Sequence, residues 1–213
     1  MTAPERPLRG LYAITRDSGG DSAALRRQVA AALRGGAALV QYRDKSGDAA
    51  RRQREAADLA ALCAEHGVPL IINDDVALAA RVGAAGVHLG RDDPDIAEAR
   101  AALGADALIG VSCYNEPARA EAALAAGADY LAFGSFYPSP TKPHAVRATP
   151  ALLQRFRGRA PLCAIGGITL DNAAPLLAAG ADLLAVISAL WDAPDIAARA
   201  AAFAALWPDN ERP

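Results

Sequence analysis

Lysine is scarce in this chain: of 22 basic residues only Lys45 and Lys142 are lysine, and the other 20 are arginine. A compact ammonium is not reproduced by the planar guanidinium fork, so the two exceptions single out positions to follow. Lys45 closes the stretch Gln41-Tyr42-Arg43-Asp44-Lys45, and Lys142 lies in the proline-stiffened stretch Pro138-Ser139-Pro140-Thr141-Lys142-Pro143. Two acidic pairs, Asp74-Asp75 and Asp92-Asp93, follow other apolar runs. One carboxylate from each pair could hold Mg²⁺, which takes a few carboxylates and keeps water or substrate phosphate oxygens as its other ligands. Each aspartate could instead be a helix cap or a solvated loop charge. Carboxylates beside Arg43, Lys45 and Lys142 suit a metal-bound anion. Gly166-Gly167 and Ile187-Ser188 offer backbone N–H groups of the kind that bind phosphate, and Ser139 and Thr141 add hydroxyl donors. His88, inside a short apolar run, reads as a satisfied core histidine, and His66 and His144 carry no signal.

These groups need a scaffold that brings distant segments to one place. Apolar runs of β type occur at Leu11 to Thr15, Ala38 to Arg43, Pro69 to Asn73, Gly86 to Leu89, Ala107 to Ser112, Asp129 to Gly134, Pro161 to Ile165 and Asp182 to Ser188. Most are continuous rather than alternating, as expected of parallel strands covered on both faces. Alanine-rich helix candidates lie between them, near 21–34, 48–65, 75–82, 94–102, 116–126, 149–157, 171–178 and 194–206. Glycine recurs at the helix-to-strand joints, as in Gly83, Gly127 and Gly180, and Asp21, Asp48, Asp95 and Asp171 stand near helix starts, where a short acceptor satisfies free N–H groups. Eight strand–helix units in a little over 200 residues predict an α/β fold, a single TIM (β/α)8 barrel over residues 1–213 with short polar tails at both ends. An open doubly wound sheet is the alternative, but no G-x-G-x-x-G follows the first strand. The polar groups then gather at the C-terminal ends of the strands, where barrels carry their active sites.

Composition narrows the partners. The chain of 213 residues is 53% hydrophobic and 22% charged, with a formal charge of -2. Such a balance lacks the dense cationic surface that nucleic acid or an anionic membrane needs, so neither is expected as a partner and any anion site must be local. The first residues, MTAPERPLRG, hold no apolar run of signal-peptide length, and a cytoplasmic location is expected. Cys63, Cys113 and Cys163 are far apart with no C-x-x-C pair, and read as buried free thiols. A homo-oligomer is compatible with the sequence and not indicated by it.

Six segments carry a family resemblance: VQYRDK at 40–45, INDDVALAARVGAAGVHLGRDD at 72–93, IGVSCYN at 109–115, AFGSFYPSPTKP at 132–143, AIGGIT at 164–169 and GADLLAVIS at 180–188. Together they resemble the thiamine phosphate synthases, with the NDD, HLG-x-DD and TK elements in order. The resemblance implies a TIM barrel that joins hydroxymethylpyrimidine diphosphate to hydroxyethylthiazole phosphate, giving thiamine phosphate and pyrophosphate, with Mg²⁺ as cofactor. It implies Asp74 and Asp93 as the metal ligands. Gln41, Arg43, Lys45, Asn73, Ser112 and Lys142 would surround the pyrimidine diphosphate, with Lys142, Ser112 and Arg43 as the catalytic set. Ser139, Thr141, Gly167, Ile187 and Ser188 would bind the thiazole phosphate. The implied reaction is dissociative: diphosphate leaves, a pyrimidine methylene cation forms, and the thiazole nitrogen attacks it. Arg43, Lys45, Lys142 and one Mg²⁺, less two ligand aspartates, leave about three positive charges to oppose a diphosphate of roughly three negative ones.

The chain departs from the family pattern at two positions. Arg91 stands where glutamine is more common and would either vary the surface or add a phosphate contact. Tyr114 stands where a histidine is common after the serine at 112. That second departure weighs against the related thiazole tautomerases, which rely on that histidine and are the alternative enzyme reading, together with an aldolase using Lys142 as Schiff-base former. A non-catalytic phosphate-binding barrel is the alternative from another class, and loss of Asp74 or Asp93 would be its signature.

Overall fold

Each of the eight apolar runs forms a parallel strand, and the strands close into a barrel in chain order. The computed structural model describes residues 8–138 and 146–207. The strands are β1 (Gly10–Ile14), β2 (Leu39–Tyr42), β3 (Leu70–Asn73), β4 (Gly86–Leu89), β5 (Leu108–Tyr114), β6 (Tyr130–Gly134), β7 (Leu162–Ile165) and β8 (Leu183–Val186). The helices are α1 (Ser22–Arg34), α2 (Ala49–Glu65), α3 (Val76–Val82), α4 (Ile96–Leu103), α5 (Pro117–Ala125), α6 (Pro150–Phe156), α7 (Ala174–Ala178), α8 (Ser188–Trp191) and α9 (Ile196–Ala204). The barrel closes where Gly10 pairs with Leu183 and Tyr12 with Ala185. Among the described residues no helix is long and apolar enough to cross a membrane.

Strand alternation divides the buried residues into two layers. One side of the strands, including Leu11, Val40, Ile72, Val87, Ile109, Leu131 and Leu184, packs beneath the helices. The other side, including Tyr12, Ile14, Leu39, Ile71, Leu108, Tyr130, Cys163 and Leu183, fills the barrel interior. Gly110 makes room for the largest of these: a Cβ there would lie 1.9 Å from the Tyr130 ring, so the tyrosine can cross the interior only beside a glycine.

Aspartates start the helices. Asp21, Asp48, Asp75, Asp95 and Asp195 each accept from the backbone N–H three residues on, at 2.8 to 3.0 Å. Each such cap is worth about 1 kcal/mol. Asp171 does not act this way, because α7 begins only at Ala174, with Ala173 at its N-cap. Asn172 organises that loop instead, accepting from Thr169 N at 2.8 Å and donating to the Gly167 carbonyl at 3.0 Å. A side chain that both donates and accepts closes a turn that a carboxylate cannot. The joints before β6 and β8 repeat one device: Asp129 accepts from Ile109 N at 2.7 Å and Asp182 from Leu162 N at 2.9 Å, tying each strand to the start of its neighbour.

The last expected strand is shorter than its apolar run. It stops at Val186, Ile187 turns away with φ -118° and ψ -87°, and Ser188 opens α8. The cause lies just beyond: Trp191 is buried and its indole N–H donates to the Ile14 carbonyl at 2.6 Å, which draws the chain into a helical turn over the end of β1.

Candidate active site

All eight strands contribute to one cavity of about 350 Å³ at their C-terminal ends. Tyr12 and Ile14 come from β1, Gln41 and Arg43 from β2 and the residue after it, Asn73 from β3, His88 from β4, Ser112 and Tyr114 from β5. Ala132 and Gly134 of β6, Cys163 and Ile165 of β7, and Ala185 and Val186 of β8 complete the wall.

The floor is polar and uncharged. Gln41 Nε2 donates to the Tyr12 hydroxyl at 2.7 Å, the Tyr12 and Tyr130 hydroxyls are 2.8 Å apart, Tyr130 lies 3.0 Å from His88 Nδ1, and His88 Nε2 lies 2.9 Å from Ser112 Oγ. Burial pushes the His88 imidazole down to about 4, against the opposing pull of the nearby Asp74 carboxylate. Burial likewise raises the Tyr12 and Tyr130 phenols and the Cys163 thiol above their ordinary values. At neutral pH none of these groups carries charge.

Among the described residues, the paired charges of the site lie at its rim. Lys45 pairs with Asp74, and the carboxyls of Asp74 and Asp93 lie within hydrogen-bond reach of each other. Asp93 also accepts from the Gly90 N–H. Burial opposes ionisation of Asp74, but its hydrogen bonds to Lys45 and Asp93 and the Lys45 charge hold its carboxyl below the usual range. Burial raises Asp93, as do the hydrogen bond and charge of Asp74, against the Gly90 N–H. Asp74 has a left-handed backbone, φ 64°, and its N–H bonds the His88 carbonyl at 2.9 Å. That turn directs one aspartate to the rim and leaves the next, Asp75, to cap α3 and pair with Arg52 at 3.0 Å. Asp92 is exposed.

Beneath the rim, Asp44 anchors the segment between Arg43 and Lys45. Its buried carboxylate accepts from Ser46 N at 2.6 Å and Arg51 Nη2 at 3.1 Å. Arg43 N donates to Thr15 Oγ1 at 2.9 Å, fixing the same segment to the end of β1. On the opposite side, Gly167 has φ 64°, and a Cβ there would come within 2.3 Å of the Pro138 carbonyl. Ile187 and Ser188 line the cavity beside it, with the first N–H groups of α8 lacking intrahelical acceptors.

Known proteins share this sequence and fold. Residues 11–190 match the family described as thiamine monophosphate synthase. The chain belongs to that family. The thiamine-phosphate synthase of Aromatoleum aromaticum is 57% identical to it over 206 residues, covering 96% of this chain and 99% of its own length. That of Azoarcus sp. is 59% identical over 202 residues, covering 94% and 98%. Among solved structures, the thiamine phosphate pyrophosphorylase from Pyrococcus furiosus superimposes with a TM-score of 0.82 at 32% identity, covering 92% of this chain and 94% of its own. As a member of the thiamine monophosphate synthase family the chain is an enzyme, a transferase of the thiamine phosphate synthase type.

The fold brings most of the expected residues of this family member together. Gln41, Arg43, Asn73, Ser112, Gly167, Ile187 and Ser188 line the cavity, while Lys45, Asp74 and Asp93 cluster at its rim. Ser139, Thr141 and Lys142 lie outside the described residues. Arg91 is turned to the surface, paired with Glu116 and 5.2 Å from the centre of the Tyr114 ring. Two residues of the polar floor were missed. Tyr12 and Tyr130 sit at inward strand positions, where a phenol inside a barrel demands a partner, and that demand was the available signal. His88 is buried as expected, yet it is a cavity group as well as a core one.

Among the described residues no three His, Cys, Asp or Glu side chains converge on a common point. The Asp74–Asp93 pair fits Mg²⁺ in another way. It offers hard oxygen donors from adjacent strand ends, beside an open cavity from which water and substrate oxygens would fill the remaining positions.

Proposed function

We propose that the chain joins hydroxymethylpyrimidine diphosphate to hydroxyethylthiazole phosphate, releasing pyrophosphate and forming thiamine phosphate by a dissociative substitution with Mg²⁺ as cofactor. The observation that carries this reading is the separation of charge: an ionised rim above an uncharged floor. A departing diphosphate needs preorganised positive charge where its own charge grows. The cation left behind needs surroundings with no free base or anion to capture it. Both ring nitrogens of His88 are engaged, so the imidazole on the floor is not a base waiting for a proton.

In this reading Gln41 and Asn73 hold the pyrimidine, and Arg43, Lys45, Ser112 and Lys142 receive the diphosphate, Arg43, Ser112 and Lys142 forming the catalytic set. Lys45 turns from Asp74 to the substrate as the anion arrives. Asp74 and Asp93 hold Mg²⁺, which when bound neutralises charge developing on the leaving group. Gly167, Ile187, Ser188, Ser139 and Thr141 take the thiazole phosphate, the first three on the β7 and β8 side where barrels bind phosphate through backbone N–H groups. The thiazole nitrogen is thereby held facing the pyrimidine methylene carbon and forms the new C–N bond after the C–O bond has broken. Mixing the purified chain with both substrates and Mg²⁺ and following pyrophosphate and thiamine phosphate tests this directly. Absence of product with both substrates present would overturn it.

A further inference from the structure

A single amide sets the direction of the hydrogen-bond chain on the cavity floor. Because Gln41 Nε2 donates to the Tyr12 hydroxyl, the one phenolic hydrogen of Tyr12 is left for Tyr130, 2.8 Å away. Tyr130 then accepts from Tyr12 and has its own hydrogen for His88 Nδ1 at 3.0 Å. An imidazole whose Nδ1 accepts is neutral and carries its hydrogen on Nε2. That nitrogen lies 2.9 Å from Ser112 Oγ, so Ser112 accepts from His88 and keeps its own hydrogen for the cavity it lines.

We propose that Gln41, Tyr12, Tyr130 and His88 form an orienting relay that presents Ser112 to a bound anion as a hydrogen-bond donor. No proton travels along it. Tyr12, Tyr130 and His88 are positioning residues, and Ser112 is the group that touches the ligand. A serine hydroxyl is ambivalent, since it can offer a hydrogen or lone pairs. Toward a diphosphate only the first is attractive, and the opposite direction of the chain would spend the Ser112 hydrogen on His88 and turn lone pairs toward the anion. The same amide sets a second polarity. With Nε2 given to Tyr12, the Gln41 carbonyl oxygen is the acceptor left for a bound molecule. The naming of the anion as a diphosphate rests on the function proposed above, whereas the direction of the relay does not.

Nitrogen-15 NMR of the histidines in the free protein at pH 8, with His88 assigned by His88→Gln, reads the direction without any substrate. The Nε2–H tautomer is expected. Gln41→Glu places a carboxylate that can only accept from Tyr12, which reverses every bond and should give the Nδ1–H tautomer. Tyr130→Phe removes the donor to Nδ1 and should give a mixture, so either variant carries the comparison if the other fails to fold. An Nδ1–H tautomer in the unaltered protein, or one tautomer throughout the series, would overturn the relay. Turnover of Tyr130→Phe at saturating substrate should fall roughly 3- to 10-fold, the worth of one neutral hydrogen bond. Unchanged turnover beside a mixed tautomer would overturn the role given to Ser112. The expected tautomers in a protein that forms no thiamine phosphate would leave the relay standing and remove the function instead.

Discussion

Arg119 holds Ser112 by its main chain: Arg119 Nε donates to the Ser112 carbonyl at 2.6 Å, and Nη2 of the same guanidinium donates to the Gly90 carbonyl at 2.6 Å. One side chain thus joins the ends of β4 and β5, and through Gly90, whose N–H binds Asp93, it joins the serine proposed to meet the diphosphate to a carboxylate proposed to hold Mg²⁺. Its placement opposes the helix dipole, because Arg119 is in the first turn of α5, where cations are disfavoured.

Replacing Arg119 should therefore cost both order and activity. Arg119→Met is expected to lower stability by about 1 to 3 kcal/mol, the range for hydrogen bonds to a charged group left without their donor. It should also raise the magnesium needed for half-maximal rate. Arg119→Lys reaches one carbonyl but not both, and should recover part of each loss. Thermal unfolding and a magnesium titration check this. A Met variant with unaltered melting temperature and magnesium response would show that the link between the strand ends is idle.

The carboxylate pair is best tested with asparagine rather than alanine, because Asp74 has φ 64° and asparagine tolerates that region. Asp74→Asn and Asp93→Asn should each lose most activity at low magnesium, with the half-saturating concentration raised by at least roughly 10- to 100-fold, the cost of losing even an outer-sphere partner of a metal ligand. Folding should survive, since the Lys45–Asp74 pair is partly exposed and such pairs contribute about 0 to 1 kcal/mol. Normal turnover at low magnesium would refute the metal assignment, and unfolding would make the residue structural.

The barrel was legible because its signals are local. Apolar runs and joint glycines repeat from unit to unit, aspartates cap five of the helices, and each signal can be judged within a few residues. The choice within Asp74-Asp75 was not, since two adjacent carboxylates differ only in which one the helix start takes as its cap. The floor was the least legible part. Tyr12 meets Tyr130 across 118 positions and His88 meets Tyr130 across 42, so the bonds exist only once the barrel closes. The end of β8 was misplaced for a similar reason, as Trp191 fixes it by reaching back 177 positions to Ile14.

Asp182 provides a pH test away from the active site. Burial raises its carboxyl above the ordinary value, against the hydrogen bond from Leu162 N. A group whose folded pKa exceeds its unfolded one makes the protein lose stability as pH rises from the unfolded value through the folded one. Asp182→Asn keeps an acceptor for Leu162 N and has no charge to bury. Its melting temperature should match the unaltered protein below about pH 4, near the ordinary carboxyl value, and exceed it at neutral pH. A difference that does not grow with pH would show that the burial of charge at this joint has no cost.

Lys142 lies outside the described residues, and the expectation for it comes from its chemistry as one of two lysines among 22 basic residues. If it meets the diphosphate through the charge that develops as the C–O bond breaks, its contact is stronger in the transition state than in the ground state. Its removal should then lower turnover more than substrate affinity. Lys142→Ala should cost about 1.5 to 3 kcal/mol, or roughly 10- to 150-fold. Lys142→Arg should recover only part, because a planar fork does not occupy the place of an ammonium. A solvated loop lysine predicts less than about 0.5 kcal/mol for either change. Single-turnover rates and diphosphate dissociation constants for both variants separate the readings. A loss confined to binding would argue against a leaving-group role, and no loss in either quantity would remove Lys142 from the site.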